Sequence, residues 1–295
     1  MWDRAKAGSR RSADRGSFFS MSSDLRSPER LRHHYEVERE LAARLRASTR
    51  EERPALFKAL YNELFERVPD HPRLTRRDSA EASRRKAAGQ MRLLSSFLRS
   101  DTTLVEFAPG DCRLAYLAAG VVKKVIGVDI SDQRSETDRA TAPANFELCV
   151  YDGYNLGLPD GIADVVFSFQ FLEHLHPDDV APHFEMARRL LKPGGWYVFD
   201  TPHRLSGPHD VSRHFGDDLV CFHFQEWTFR EMIALLGRFG FDPARPVKKA
   251  RCLGGVASAG LLALESVLGW LPRGIARKLA ARLFSTVSVA ARAAA

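Results

Sequence analysis

The stretch "LVEFAPGDCRLAYLAAGVVKKVIGVDIS", Leu104 to Ser131, decides the fold of this 295-residue chain. An apolar run meets a short turn at Ala108-Pro109-Gly110-Asp111. Helix-forming residues follow, then a second apolar run that ends on Asp129. Strand, turn, helix and strand, with apolar strands, make one βαβ unit of a parallel sheet covered on both faces.

The pattern repeats downstream. Apolar strands are expected at Thr103–Ala108, Lys124–Ile130, Phe146–Tyr151, Ala163–Phe169 and Gly195–Thr201. Helical runs are expected between them at Cys112–Ala119, Ser131–Ala142 and Val180–Leu191, and a further helix at Thr228–Phe239 leads to a strand at Val247–Leu253. The fold class is α/β. Residues 101–252 form the sheet domain.

The flanks differ in character. Residues 1–24 are basic and polar and read as a disordered tail without the apolar core of a secretory signal. Residues 25–100 read as a helical cap or lid. Leu31, Val37, Leu41 and Leu45 recur at helical spacing, and a Thr49-x-x-Glu52 capping box opens a second helix. Pro69 and Pro72 break the pattern, and a third helix is expected from Ser79 to Leu98. Residues 253–295 read as amphipathic helices. "LGGVASAGLLALESVLGWL" is apolar apart from Glu265 and is followed by the basic "RGIARKLAARLF". A packed helix pair is the first expectation for this segment, and peripheral contact with a membrane the second.

The net charge is +7, with 44% hydrophobic and 27% charged residues, as in ordinary globular chains. The four cysteines form no C-x-x-C pair, so neither a disulfide framework nor a zinc ribbon is indicated, and a cytoplasmic setting is the default. No two histidines have the i, i+4 spacing of a zinc helix in the acceptor region, and no metal is expected.

The turn after the first strand should bind the ligand, because open α/β sheets bind at the carboxyl ends of their strands. A dinucleotide loop is glycine-rich, so that a pyrophosphate can approach bare backbone. Here Glu106 and Asp111 bracket Ala108 and Gly110, and they would repel phosphate. A cationic cofactor without phosphate suits the loop, and S-adenosylmethionine, with its sulfonium and ammonium, is one. Asp129 falls at about the 20-residue spacing at which an acid grips ribose hydroxyls. Asp152 closes the third strand, where it can accept from an adenine amino group.

With these residues the chain resembles the class I S-adenosylmethionine-dependent methyltransferases, and in particular a type 11-like bacterial subgroup. "VEFAPGD" stands at their E/D-x-G-x-G-x-G loop and "VIGVDIS" at their ribose strand. "DGYNLGLPDGIADVVFSFQFLEHL" and "RRLLKPGGWYVFDTP" resemble the later strands. "HYEVERELAARLR", "LYNELFERVPDHP" and "TPHRLSGPHDVSRHF" carry the narrower likeness. Ala108 and Cys112 depart from the pattern by replacing glycines. The resemblance implies a Rossmann-like sheet with helices on both faces. It places the cofactor on Glu106, Ala108, Gly110, Asp111, Asp129, Ile130, Asp152, Gly153, Phe169 and Gln170.

Methyl transfer then needs an acceptor held in line with the methyl, and a base if the acceptor is a hydroxyl. The loop after the fifth strand is the densest polar stretch. His209 beside Asp210 forms a candidate catalytic cluster with His203 and His214 nearby, and His174 after the fourth strand is a second candidate base. Arg204 and Arg213 offer charge to an anionic acceptor. A small-molecule, glycan or lipid-linked acceptor, methylated at oxygen, is the leading expectation. The alternatives are an RNA methyltransferase and a non-catalytic S-adenosylmethionine-binding protein. "FQFLEH" lacks the Asn/Asp-Pro-Pro-aromatic turn of adenine-amino methylation, and no cysteine follows a proline as in cytosine C5 chemistry, so nucleic acid is disfavoured.

Overall fold

The structure is a computed structural model. It describes residues 26–72, 74, 80–248 and 250–294. The expected basic tail lies outside the described residues, as does Ser79 at the expected start of the third helix.

Among the described residues, three helices come first: α1 (Pro28–Arg46), α2 (Arg53–Arg67) and α3 (Ala80–Leu94). The Ser27 hydroxyl caps α1 by accepting from the Arg30 amide, and Pro28 fits the first helical turn because its missing N–H would go unused there. The Thr49–Glu52 pair forms one arm of its box, the Thr49 N–H donating to Glu52 Oε2 at 2.8 Å. Val37, Leu41 and Leu45 of α1 close on Leu60 and Leu64 of α2, and both helices pack against Phe222 and Phe224.

The sheet domain alternates β1 (Thr103–Phe107), α4 (Arg113–Ala119), β2 (Lys124–Asp129), α5 (Glu136–Ala140), β3 (Phe146–Val150), β4 (Ala163–Phe169), α6 (Val180–Leu190) and β5 (Leu191–Pro202). Then come α7 (Phe229–Arg238), β6 (Phe241–Lys248), β7 (Arg251–Cys252), α8 (Gly255–Gly269), α9 (Arg273–Leu283) and β8 (Thr286–Ala293). Strand order is β3-β2-β1-β4-β5-β8-β6-β7. The first five strands run parallel, and β8 enters antiparallel between β5 and β6.

Both faces of the sheet are buried, and the period of two divides them. Leu104, Val125, Val165 and Val198 face Leu114 and Ala118 of α4 and Leu94 of α3. Their neighbours Val105, Ile126, Val166 and Phe199 face Phe184 of α6 and Met232 of α7. This is the expected doubly covered α/β sheet.

The expected strand at Val247–Leu253 begins earlier, as β6, and the C-terminal expectation fails. Residues 253–295 are not helical throughout, because Thr286–Ala293 forms β8. The sheet domain therefore continues past residue 252, and the α8–α9 hairpin is an excursion between two of its strands. "TVSVA" alternates β-branched residues with smaller ones, as a strand does, but it directly follows the amphipathic α9.

Candidate functional site

Strand order reverses at β1, which has β2 on one side and β4 on the other. At this switch point an open α/β sheet leaves a crevice for ligand. Register brings the strand ends level, with Phe107 opposite both Val128 and Ser168, and Phe169 opposite Asp200. A continuous cleft of about 2740 Å³ runs along this edge, roofed by residues of α1, α2 and α3.

The loop after β1 has a distinctive backbone. Ala108, Gly110 and Cys112 all have positive φ, at 52°, 59° and 58°. The every-second-residue spacing seen in the sequence is therefore a run of alternating left-handed residues, a conformation that disfavours side chains. Pro109 seats against β2, where a Cβ on Gly127 would lie 3.1 Å from its ring. Cys112 is fully buried, packed with Leu104 and Leu114, and burial pushes its thiol up to about 12. It fills space as a small apolar side chain.

Glu106 is buried at the end of β1. Its Oε2 has no hydrogen-bond partner among the described residues. Burial pushes its carboxyl up to about 8, the Lys86 ammonium of α3 opposes this, and Asp111 and Asp129 add to it. Asp129 is buried too, and accepts from the Gly110 N–H at 3.3 Å and the Ser131 N–H at 3.2 Å. Asp111 accepts from the Arg113 N–H and lines the cleft. Ala108, Gly110, Ile130, Gly153, Phe169 and Gln170 line it as well. Gln170, at φ 50°, donates from its side chain to Asp200 Oδ1 at 2.7 Å.

Asp152 turns toward its own loop. Its carboxylate accepts from the Tyr154 and Asn155 amides at 2.8 and 2.6 Å and from the Asn155 side chain at 2.6 Å. These bonds hold it below the usual carboxylate range, and it does not line the cleft. It closes the turn, while Gly153, Tyr154 and Asn155 face the ligand space.

The wall of the cleft around His209 is built across long sequence distances. His209 lines the cleft, but its acid is not Asp210. Its Nδ1 lies 3.2 Å from Glu226 Oε2, and its amide donates to Glu226 Oε1 at 2.8 Å. Asp210 also lines the cleft, and it accepts from the amides of Ser212 and His223 within its own loop. His223 Nδ1 lies 2.9 Å from the same Glu226. Burial opposes a charge on His223, yet Glu226, Glu173 and Asp210 raise it to about 9. Burial likewise opposes a charge on Glu226, and the two imidazoles bring it down to about 2.

His174 meets the Phe222 carbonyl through Nδ1 at 3.0 Å. A carbonyl only accepts, so the proton sits on Nδ1. Beside it, Glu173 is fully buried. The Thr201 hydroxyl donates to its Oε2, its Oε1 has no partner among the described residues, and burial pushes its carboxyl up to about 7. One donor atom each from Glu173, His174 and His223 lies within 4.8 Å of the others, a grouping that spacing along the chain does not reveal.

Two other sequence candidates lie elsewhere. His203 is fully buried and donates from Nε2 to Glu265 at 2.8 Å, and Arg204 is paired with Glu231. Arg213 and His214 do line the cleft. Sequence reading missed Glu173, Asp200, His223 and Glu226. Their burial with charge, which marks them, exists only in the fold.

The cap is tied to both sides of this cleft. Arg53 of α2 is buried, donates to the Tyr154 hydroxyl at 3.0 Å and to Asp179 Oδ1 at 3.1 Å, and reaches the Ser48 carbonyl. Arg46 of α1 donates to the carbonyls of Leu219 and Val220.

Comparison with known proteins agrees with this geometry. A family model described as "Methyltransferase domain" matches residues 105–199. A protein of Mycolicibacterium smegmatis named "Probable S-adenosylmethionine-dependent methyltransferase" is 32% identical over 139 residues, 47% of this chain and 51% of that protein. A "Ubiquinone biosynthesis O-methyltransferase" of Thiobacillus denitrificans is 34% identical over 96 residues, 31% of this chain and 40% of that one. The chain thus spans about half the length of the curated relatives it matches, or less. Among solved structures, the Burkholderia thailandensis 1,6-didemethyltoxoflavin-N1-methyltransferase superposes with a TM-score of 0.54 at 15% identity, covering 84% of this chain and 92% of that one. Residues 105–199 thus match a methyltransferase-domain model, and the sheet that contains them shares the Rossmann-like fold of that solved methyltransferase.

Proposed function

We propose that the protein transfers a methyl group from S-adenosylmethionine to the oxygen of a small-molecule, glycan or lipid-linked acceptor. The observation that carries the cofactor is Glu106, a buried carboxylate with an unpartnered oxygen at the switch point, beside a loop that offers no cation to a phosphate. An ammonium group fits it, since a nearby positive charge restores the charged form that burial disfavours. S-adenosylmethionine supplies an activated methyl on a sulfonium. Glu106 would hold its ammonium, Asp129 its ribose hydroxyls, and the turn at Gly153 its adenine.

The size of the cleft supports a second, sizeable ligand. Single-ligand pockets run to about 1,000 Å³, and this cleft is larger. An alcohol or phenol acceptor must lose a proton as it is methylated. His209, steadied through Nδ1 by a Glu226 that stays ionised at neutral pH, is suited to take it at Nε2, which lies 3.2 Å from the Ser206 hydroxyl and would exchange that contact for the acceptor. His174, with its proton fixed on Nδ1, is the second imidazole on this wall. The name of the Thiobacillus relative supports oxygen as the methylated atom.

Labelled-methyl transfer from S-adenosylmethionine into fractionated extract tests the reading. Label should appear in a non-nucleic-acid fraction. His209→Ala should slow transfer about a hundredfold while leaving cofactor affinity unchanged. Label recovered in RNA, or full activity in His209→Ala, would overturn the acceptor assignment.

A further inference from the structure

The α8–α9 hairpin reverses the usual placement of charge and oil. The one charged residue of α8, Glu265, is 3% exposed and faces inward. There it accepts from His203 Nε2 and from the amides of Phe229 and Arg230, which caps the start of α7. The outward side of α8 has no charged side chain. It shows Val256 at 92% exposure, with Leu264 and Val267, and ends at Trp270 at 85%. Of α9, Ile275, Leu279 and Leu283 are exposed and alternate with Arg273, Arg277, Lys278 and Arg282. Most of the exposed large apolar residues among those described are in this one hairpin.

A concentration of exposed apolar side chains of this kind marks an interaction site, and a tryptophan at its edge beside basic side chains is the pattern of an interfacial helix. We propose that the hairpin is a membrane-docking element that lies flat on an anionic lipid surface, with α8 and Trp270 in the acyl boundary and the cations of α9 among the headgroups. Charge selects this occupant. Helix α9 has four cations and no acid, and the acid found against it is Asp217, which meets Arg273 and Arg277. Apposing a second copy would bring like charges together, whereas anionic lipid neutralises them. Length selects the orientation. Fifteen residues of helix are too short to cross a bilayer, and among the described residues no helix is long and apolar enough to span one.

The hairpin is anchored to the acceptor side. The Glu265–His203 bond fixes it to the end of β5, and Ser206 donates to the Phe284 carbonyl just beyond α9. Docking would therefore hold the His209 loop near the membrane, which favours a membrane-borne acceptor. That last step rests on the proposed methyltransferase reading, whereas docking itself does not.

Co-sedimentation of the full chain with vesicles, in the absence of cofactor, tests it. The chain should pellet with vesicles of phosphatidylcholine and phosphatidylglycerol, and much less with phosphatidylcholine alone. Raising the salt should weaken binding. The double variant Val267→Glu, Trp270→Glu should lose at least about tenfold in partitioning while keeping the wild-type melting curve and cofactor heat. The double variant Lys278→Glu, Arg282→Glu should lose the preference for anionic lipid. Failure to pellet, equal binding to both vesicle types, or binding that the apolar variant leaves intact would overturn the proposal. So would a dimer in solution that the apolar variant splits without any vesicle binding. Calorimetry with S-adenosylmethionine on the same preparation reads the cofactor assignment separately.

Discussion

Two side chains mark the end of β1 and the loop after it, and each makes a prediction. Cys112 occupies a left-handed position where a glycine would be relaxed, at a strain of roughly 1–2 kcal/mol. What offsets the strain is burial against Leu104 and Leu114. A thiol pushed up to about 12 is not a nucleophile at neutral pH. Cys112 should therefore resist iodoacetamide in the folded protein and react once urea unfolds it, as read by peptide mass mapping. Rapid native labelling would mean that the loop opens.

Burial displaces the Glu106 titration upward, where an ion-paired acid would be displaced downward. Its folded pKa, about 8, lies above the ordinary carboxylate value, so the fold holds its proton more tightly than the unfolded chain does. Its contribution to stability is complete below the ordinary carboxylate range and is lost as pH rises toward about 8. Glu106→Gln should show a smaller fall in urea midpoint between pH 5 and pH 8 than wild type. Cation binding should ionise the group. At pH 7 the titration of S-adenosylmethionine should thus release up to about one proton, visible as a dependence of the heat on the buffer, and Glu106→Gln should suppress it.

At the scale of elements, the strands are readable in sequence because apolar runs of five to seven residues end at turn signals. Ala163–Phe169 is found as expected, and β1, β2 and β3 each end one residue early. The fifth strand begins earlier than expected, at Leu191, because it continues directly from α6. The acidic edge is only partly readable. Glu106 and Asp129 stand where strand ends predict, but Asp152 is consumed by its own turn, a local competition that spacing does not resolve. The acceptor wall is not readable. Glu226 pairs with His209 across 17 residues, and Glu173 approaches His223 across 50. The cap's attachment is equally long-range. Arg53 reaches Tyr154 and Asp179, so Arg53→Met would leave buried acceptors unpaired and should cost about 3 kcal/mol in urea unfolding. A loss below about 1 kcal/mol would mean that the cap is not held by this contact.

For the whole molecule, the parts have separate tasks joined by buried polar links. The sheet supplies the acidic edge of the cleft. The cap roofs the cleft and is tied to it through Arg46 and Arg53. The hairpin, inserted before the last strand, braces the loop after β5 through Glu265. The insertion also explains why the C-terminal segment misled: an amphipathic helix pair followed directly by a strand reads as one unit until pairing places β8 beside β5.

The central claim is that acids at the switch point hold S-adenosylmethionine. Isothermal titration of S-adenosylmethionine into wild type and Asp129→Ala tests it most directly. The account predicts saturable one-to-one heat with wild type and an affinity at least about tenfold weaker with Asp129→Ala, since charge-assisted hydrogen bonds are lost. Equal affinity in the two proteins, or no heat with either, would contradict it.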